Sequence, residues 1–122
     1  MHLSSLPGPY GIGTMGRSAY RFVDFLQRAG QTWWQLLPIG PTSFGDSPYQ
    51  SFSSVAGNPY FIDLDLLEQE GLLQKAEYES LPWSEEESAV DYGRLYRLRY
   101  DVLRCAYRRF AQNPPEDYTR FC

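Results

Sequence analysis

The chain has 122 residues with 11 basic and 15 acidic side chains, and its formal net charge of -4 offers no general attraction for nucleic-acid phosphates. One histidine and two cysteines supply neither a metal-ligand cluster nor a disulfide framework, so we expect no metal and a reduced, cytoplasmic setting. No apolar run approaches the roughly 18 residues of a membrane span and no leader pattern follows the first methionine, so no membrane partner is expected.

Three glycines near the start, Gly11, Gly13 and Gly16, fit the GxGxxG spacing of dinucleotide-binding loops. That fingerprint requires an apolar strand leading into the first glycine and an acidic residue about 20 positions later. Pro7 and Pro9 interrupt the preceding segment, and the next apolar segment ends without an acid. We therefore favour a tightly folded loop over a nucleotide site.

A helix and a strand are predicted next. Apolar residues recur at helical spacing over residues 17–29, and Gly30 stands where a C-terminal cap belongs. The aromatic and aliphatic residues at 32–37 then indicate a buried strand, which Pro38 ends. A helix followed by a buried strand is half of a βαβ unit.

The segment 40–63 combines turn-forming residues with aromatic ones, so it must follow an irregular path and not a helix. Aromatic faces beside hydroxyl and amide groups suit a sugar, which offers C–H faces for stacking and hydroxyls for hydrogen bonds. The sequence therefore predicts a carbohydrate site here. The alternative is a long loop whose aromatic side chains only anchor it to the core. These side chains are Phe44, Tyr49, Phe52 and Tyr60.

Asp46 lies in the turn Gly-Asp-Ser-Pro of this segment and is the acid that a catalytic interpretation would choose. We favour a turn-forming role, because a single acid in such a turn requires no catalytic explanation.

A short helix and an acidic segment are predicted after the loop. The helix spans residues 63–73, with Asp63 or Asp65 near its start and Gly71 near its end. Residues 74–90 are acidic and lack a clear period, which indicates an exposed linker or insertion. Trp83 within it could contact a ligand, but packing is the commoner fate of a lone tryptophan.

A long helix is predicted from Asp91, as its N-terminal cap, to about residue 112, with an apolar stripe that faces the core or a partner. The stripe consists of Leu95, Leu98, Val102, Ala106 and Phe110. Arginines occupy the other faces, namely Arg94, Arg97, Arg99, Arg104, Arg108 and Arg109. Because these arginines are spread around the helix and follow an acidic segment, we do not favour a nucleic-acid partner.

Several runs of sequence carry a resemblance to a known family. They are SSLPGPYGIG at 4–13, WWQLLPIGPT at 33–42, and GDSPYQSFS with AGNPYFIDLDLL up to residue 67. These runs resemble the N-terminal part of the 4-α-glucanotransferases called amylomaltases or disproportionating enzymes. The resemblance is close over 3–73 and looser from VDYGRL at 90–95.

The resemblance implies an α/β fold, the N-terminal part of a (β/α)8 TIM barrel with the start of an inserted subdomain. Such a barrel takes about 250 residues, so the chain is expected to be a fragment that lacks the remainder of its barrel. Residues 1–73 would hold the first strands and helix of the barrel, with the substrate loop at 40–63. Residues 74–90 would form an acidic linker or insertion. Residues 91–122 would form the long helix of the subdomain and a truncated tail.

The resemblance also implies an activity. The parent enzyme would transfer 1,4-α-glucan segments between maltooligosaccharides by a retaining double displacement, without a cofactor. Such chemistry uses two carboxyl groups about 5 Å apart. By resemblance these carboxylates lie beyond residue 122, so no catalytic residue is expected here and the isolated chain should be inactive.

Three substrate-binding residues follow from the resemblance. Tyr49 would stack on or bond the glucosyl unit beside the cleavage point, with Ser47 nearby. Phe44 occupies a position at which relatives often carry tyrosine, so it keeps a stacking face and loses a hydroxyl. The alternative for the whole chain is a small stand-alone carbohydrate-binding or interaction module without catalysis.

Overall fold

The computed structural model describes residues 1–43, 45, 47–85 and 89–121, with residue 119 described through its backbone alone. The described part contains four α-helices: α1 (Arg17–Arg28), α2 (Leu64–Gln69), α3 (Tyr92–Gln112) and α4 (Glu116–Phe121). Single 3-10 turns lie at Leu3–Ser5, Pro59–Phe61 and Lys75–Glu77. Within those ranges no helix has the length and apolar content needed to cross a membrane.

The end of α1 confirms the predicted cap. Gly30 has a φ of 73°, a left-handed conformation that glycine adopts without the steric cost of a Cβ atom. Its amide donates to the carbonyl of Gln27 at 3.0 Å, and the amide of Gln31 donates to the carbonyl of Leu26 at 2.9 Å. This pair of bonds is the Schellman motif, which satisfies carbonyl groups that a helix end leaves open. The same pair of bonds closes α2 at Gly71.

Aspartate side chains begin α2 and α3, as predicted. Asp63 accepts a hydrogen bond from the amide of Leu66 at 3.1 Å, and Asp91 accepts one from the amide of Arg94 at 2.9 Å. Each bond satisfies an amide that has no partner within its own helix. Both helices therefore start where local sequence dictates.

One hydrophobic core joins the N-terminal loop, the residues around α2 and the inner face of α3. The stripe of α3 confirms its predicted orientation at Leu95, Val102 and Ala106, each of which is buried. Its partners in the core include Leu3, Ile12, Phe61, Leu64 and Leu73. Of α1, only Ala19 reaches this core as a buried residue, and Val23 and Phe25 remain exposed.

The surroundings of Gly16 explain why one of the three glycines in the GxGxxG spacing must be a glycine. A Cβ atom at this position would lie 1.8 Å from Oδ2 of Asp63, so only glycine fits without displacing that side chain. The close approach supports the interpretation that the glycines serve tight packing of the loop against α2.

The predicted buried strand at 32–37 is wrong for the described residues. This segment is irregular, with neither helix nor strand, and no strand occurs anywhere in the described ranges. Trp33 is 90% exposed, while Trp34 packs on Phe22 with ring centroids 4.9 Å apart. A strand needs a partner for its backbone groups, and the described residues supply none. The α/β architecture is therefore not confirmed, since the described part is helical.

Two further expectations about exposure need correction. The acidic segment 74–90 is mostly exposed in its described residues, as expected, but Tyr78 and Trp83 within it are buried in the core. Trp83 thus packs, as its type favours, and its indole N–H donates to the carbonyl of Tyr78 at 2.8 Å. Arg99 was assigned to a basic outer face of α3, yet it is 0% exposed. The three-part division of the chain stays a prediction.

Candidate functional site

The segment 40–63 divides into an arch and a base. The amide of Asn58 donates to the carbonyl of Ile39 at 3.2 Å, which brings the two ends of residues 40–57 together. We call residues 40–57 the loop arch and residues 58–63 the loop base. Gly40 faces Ser51 across the arch, since a Cβ atom on Gly40 would lie 2.9 Å from Oγ of Ser51. The arch is therefore a folded-back loop and not an open connection.

A turn at the top of the arch presents Tyr49. The carbonyl of Ser47 accepts from the amide of Gln50 at 3.1 Å, and Oγ of Ser47 accepts from the amide of Tyr49 at 3.3 Å. Pro48 fixes φ at the second position of this turn, where proline is favoured. Tyr49 follows it with its side chain 72% exposed. The hydrogen-bonded turn thus places the Tyr49 side chain at the surface.

Serine hydroxyls shape the remainder of the arch. Oγ of Ser51 donates to the carbonyl of Ser53 at 2.6 Å, and Oγ of Ser53 accepts from the amide of Ala56 at 3.1 Å. Phe52 projects between these serines and is 77% exposed. The arch therefore pairs exposed aromatic faces with hydroxyl groups, the combination that a sugar requires.

The aromatic side chains of the segment do not share one role. Tyr60 is buried and its ring lies 6.0 Å from the rings of Tyr92 and Tyr100, so it anchors the loop to α3. Tyr49 and Phe52 are exposed and contribute nothing to that anchor. Among Tyr49, Phe52 and Tyr60, the described aromatic residues singled out in the sequence, the anchoring interpretation is therefore confirmed for Tyr60.

Two of the residues singled out in the sequence, Phe44 and Asp46, lie outside the described residues. The substrate-binding roles of Tyr49, Ser47 and Phe44 stay predictions. The structure brings Ser47 and Tyr49 together in one turn, at the distance given above.

The loop base is fixed from two sides. The amide of Met15 donates to the carbonyl of Phe61 at 2.9 Å, and Oδ1 of Asn58 accepts from the amide of Tyr60 at 2.9 Å. On the other side, the guanidinium of Arg99 donates through Nη2 to the carbonyl of Ile62. Burial lowers the pKa of Arg99 to about 10, because the charged form loses its hydration, and the nearby Asp63 and Tyr60 charges oppose this effect.

Asp63 joins the loop base to its neighbours. Its Oδ2 accepts from the hydroxyl of Thr14 at 2.5 Å, while Oδ1 caps α2. Both oxygens are thus engaged in holding backbone segments together, and the carboxylate is not presented to a ligand.

A small cavity of about 160 Å³ lies between the N-terminal residues and the loop. His2, Thr42, Pro48, Asn58 and Tyr92 are among its lining residues. Burial, together with the neighbouring N-terminal charge, lowers the pKa of His2 and favours its neutral form. The cavity places polar and apolar groups side by side beneath the turn that carries Tyr49.

A second polar cluster was missed by sequence reasoning. Oδ1 of Asp65 accepts from the hydroxyl of Tyr10 at 2.6 Å and from the hydroxyl of Tyr78 at 2.9 Å. The two rings meet edge to face with centroids 5.1 Å apart. Burial first, and then the hydrogen bond to Asp65, raises the pKa of both tyrosines. Because these residues are distant in sequence, no local sequence pattern predicts the cluster.

Three of the described carboxylates serve structure. Asp63, Asp65 and Asp91 are each engaged as a cap or as a hydrogen-bond acceptor. In residues 1–43, 45, 47–85 and 89–121, no three histidine, cysteine, aspartate or glutamate side chains gather as a candidate metal site. What the arrangement can do chemically is bind: it offers exposed rings and hydroxyls on a loop that its own backbone holds in place.

Comparison with known proteins gives consistent results. A family model described as 4-alpha-glucanotransferase matches residues 1–122. A 4-alpha-glucanotransferase of Clostridium butyricum is 54% identical over 121 residues, which cover 99% of this chain and 25% of that protein. The corresponding enzyme of Thermus thermophilus is 48% identical over 122 residues and is covered to 23%.

A solved structure shares the fold. The amylomaltase from Streptococcus agalactiae in complex with acarbose matches with a TM-score of 0.91 and 50% sequence identity, over 99% of this chain and 24% of that one. The chain spans about a quarter of the length of the curated relatives it matches.

Proposed function

This chain belongs to the 4-alpha-glucanotransferase family, and we propose that it supplies the substrate loop of an enzyme that transfers 1,4-alpha-glucan segments between maltooligosaccharides. The observation that carries the proposal is the exposed Tyr49 on a turn held by Ser47. An exposed ring on a turn whose backbone is held by local hydrogen bonds offers a stacking face, and that backbone needs little ordering on binding. The substrate loop comprises the loop arch and the loop base.

The chain forms the N-terminal part of a (β/α)8 barrel in this proposal. The segment 32–37 precedes the loop directly, and functional loops in such barrels follow the C-terminal ends of strands. Trp33, Val23 and Phe25 are large apolar side chains left exposed. Neighbouring strands and helices from the remaining three-quarters of the enzyme would cover them and give the segment 32–37 the hydrogen-bond partners of a strand.

Catalysis is assigned to that remainder. Retaining transfer needs a nucleophilic carboxylate and an acid/base carboxyl about 5 Å apart. The carboxylates of Asp63, Asp65 and Asp91 are occupied in structural hydrogen bonds, so none is free for either role. An acceptor sugar hydroxyl takes the place of water in the second displacement. The isolated chain therefore binds and orients glucan without cleaving it, and needs no cofactor to do so.

Within the substrate loop each residue has a distinct role. The ring of Tyr49 stacks on the apolar face of the glucosyl unit beside the cleavage point. The hydroxyl of Ser47 accepts from the Tyr49 amide and keeps its own proton to donate to a sugar oxygen. Phe44 supplies a further stacking face. The partners are maltooligosaccharides and the rest of the barrel, and the low cysteine content supports a cytoplasmic setting.

A chimeric enzyme tests the proposal. Residues 1–122 replace the matching quarter of the Clostridium butyricum relative, with which they share 54% identity. We expect the chimera to convert maltotriose into longer and shorter oligosaccharides. A folded chimera without this activity would contradict the proposal and would favour a stand-alone binding module. The control is the same relative with its own N-terminal quarter deleted, which should be inactive.

A further inference from the structure

We propose that Arg99 is a positioning residue for the substrate loop, because its buried guanidinium ties the carbonyl of Ile62, in the loop base, to α3. The inference rests on the proposed function for its link to glucan transfer. The geometry that carries it is independent of that function.

The contact joins two elements that are remote in sequence. Arg99 lies on the inner face of α3 with a side chain that is 0% exposed, and it reaches across 37 positions to Ile62. A hydrogen bond from a charged donor is stronger than one between neutral groups. Ile62 ends the 3-10 turn that contains the anchoring residue Tyr60. The bond therefore holds the loop base at the point where the chain passes from the loop into α2.

Core stability alone does not account for an arginine here. Nε and Nη1 of Arg99 are buried and have no hydrogen-bond partner in the described part of the chain. A buried cation with unpaired N–H groups is costly, and the nearby charge of Asp63 offsets only part of that cost. What an apolar side chain cannot supply is the bond to the Ile62 carbonyl.

Loss of this bond should increase the mobility of the loop base without unfolding the rest of the chain. The ring contacts of Tyr60 with Tyr92 and Tyr100, and the bond from Met15 to Phe61, do not involve Arg99. The base would stay folded but would open more often. Since the base closes the arch through Asn58 and Ile39, each opening would release the turn that presents the binding groups.

Hydrogen–deuterium exchange of the chimera tests the positioning role. In Arg99→Met we expect the amides of Tyr60, Phe61 and Ile62 to exchange about 10- to 100-fold faster, the range expected for one lost charge-assisted hydrogen bond. Amides within α1 should be unchanged. Arg108→Met is the matched control, because Arg108 lies exposed on the same helix. Arg99→Lys keeps the charge and N–H donors on a shorter side chain without the guanidinium fork, so the same amides should exchange at an intermediate rate.

Kinetics on maltotriose separate positioning from general damage. Poor positioning raises KM in Arg99→Met with partial recovery in Arg99→Lys, whereas a smaller folded fraction lowers kcat and leaves KM unchanged. The inference is overturned if exchange at the loop base is unchanged in Arg99→Met, or if Arg108→Met accelerates it equally. Loss of the fold in both Arg99 variants would also overturn it. An inactive but folded chimera would contradict the proposed function, while the exchange rates would still decide the role of Arg99.

Discussion

Glu77 and Arg109 form a two-bond ion pair across 32 positions of sequence, with Nη1 2.8 Å from Oε2 and Nη2 2.8 Å from Oε1. The same Nη1 donates to the carbonyl of Leu72 at 2.9 Å. The pair thus fastens the last turns of α3 to the segment that follows α2. Both side chains are partly exposed, so solvent screens the attraction and its contribution to stability is modest.

The first prediction concerns acid stability. The hydrogen bonds from Arg109 lower the pKa of Glu77 below its usual value of 4.5. A depressed pKa stabilises the folded state above the unfolded value, and that contribution is lost as the pH falls through the folded pKa. The melting temperature of the chimera should therefore exceed that of Glu77→Gln at pH 7, and the difference should shrink below about pH 4.5. Glu79 forms an exposed ion pair with Lys75, so Glu79→Gln should leave the melting temperature unchanged at both pH values.

The second prediction concerns the proposed binding role of Tyr49. In the chimera, Tyr49→Ala should weaken transfer from maltotriose, since stacking is worth about 0.5 to 1.5 kcal/mol beyond area burial. This corresponds to a fall in kcat/KM of about 2- to 12-fold. Tyr49→Phe keeps the ring and should retain most of the activity. Tyr107→Ala removes a tyrosine of α3 that is exposed to a similar extent, and it should leave the kinetics unchanged. If Tyr49→Ala matches this control, Tyr49 does not contact the substrate.

The third prediction concerns packing at Gly16. Gly16→Ala would force a Cβ atom to 1.8 Å from Oδ2 of Asp63 and so displace the side chain that caps α2. Overpacking and the lost cap should together cost about 1 to 3 kcal/mol, seen as a lower melting temperature of the chimera. Gly57→Ala is the control, because a Cβ atom there meets nothing within 4 Å. Equal melting temperatures for the two variants would contradict the prediction.

The fourth prediction concerns the carboxylate shared by two tyrosines. Asp65→Ala would leave the hydroxyls of Tyr10 and Tyr78 without their acceptor, at a cost of about 1 to 3 kcal/mol for each group that stays buried. Asp65→Asn keeps one acceptor oxygen and should lose less. Asp101→Ala breaks only an exposed pair with Arg104 and should change stability by less than about 1 kcal/mol. Chemical denaturation of the three variants gives the order of stability.

Features encoded within one turn of helix could be predicted from sequence. The caps at Asp63 and Asp91 and the C-terminal glycines Gly30 and Gly71 depend on neighbours three to five positions away, and all four are confirmed. The apolar stripe of α3 was likewise readable from its spacing, because burial of one helix face follows the helical period.

Features that depend on distant residues could not be predicted in this way. The burial of Arg99 is set by Ile62 and Asp63, 37 and 36 positions away, and not by its place among other arginines on α3. The Asp65 cluster draws Tyr10 from a separation of 55 positions. The apolar content of residues 32–37 indicates a strand, but a ladder also requires a partner that the described chain does not contain.

Two of the three tryptophans can serve as optical reporters once Trp34, which packs on Phe22, is replaced by phenylalanine. Trp83 lies in the core at 4% exposure, while Trp33 stands in solvent at 90% exposure on the segment 32–37. Emission from the first responds to formation of the core, and emission from the second responds to whatever comes to lie against the segment 32–37. In that variant, folding of this quarter and its docking onto the rest of an enzyme can be followed as separate spectral events.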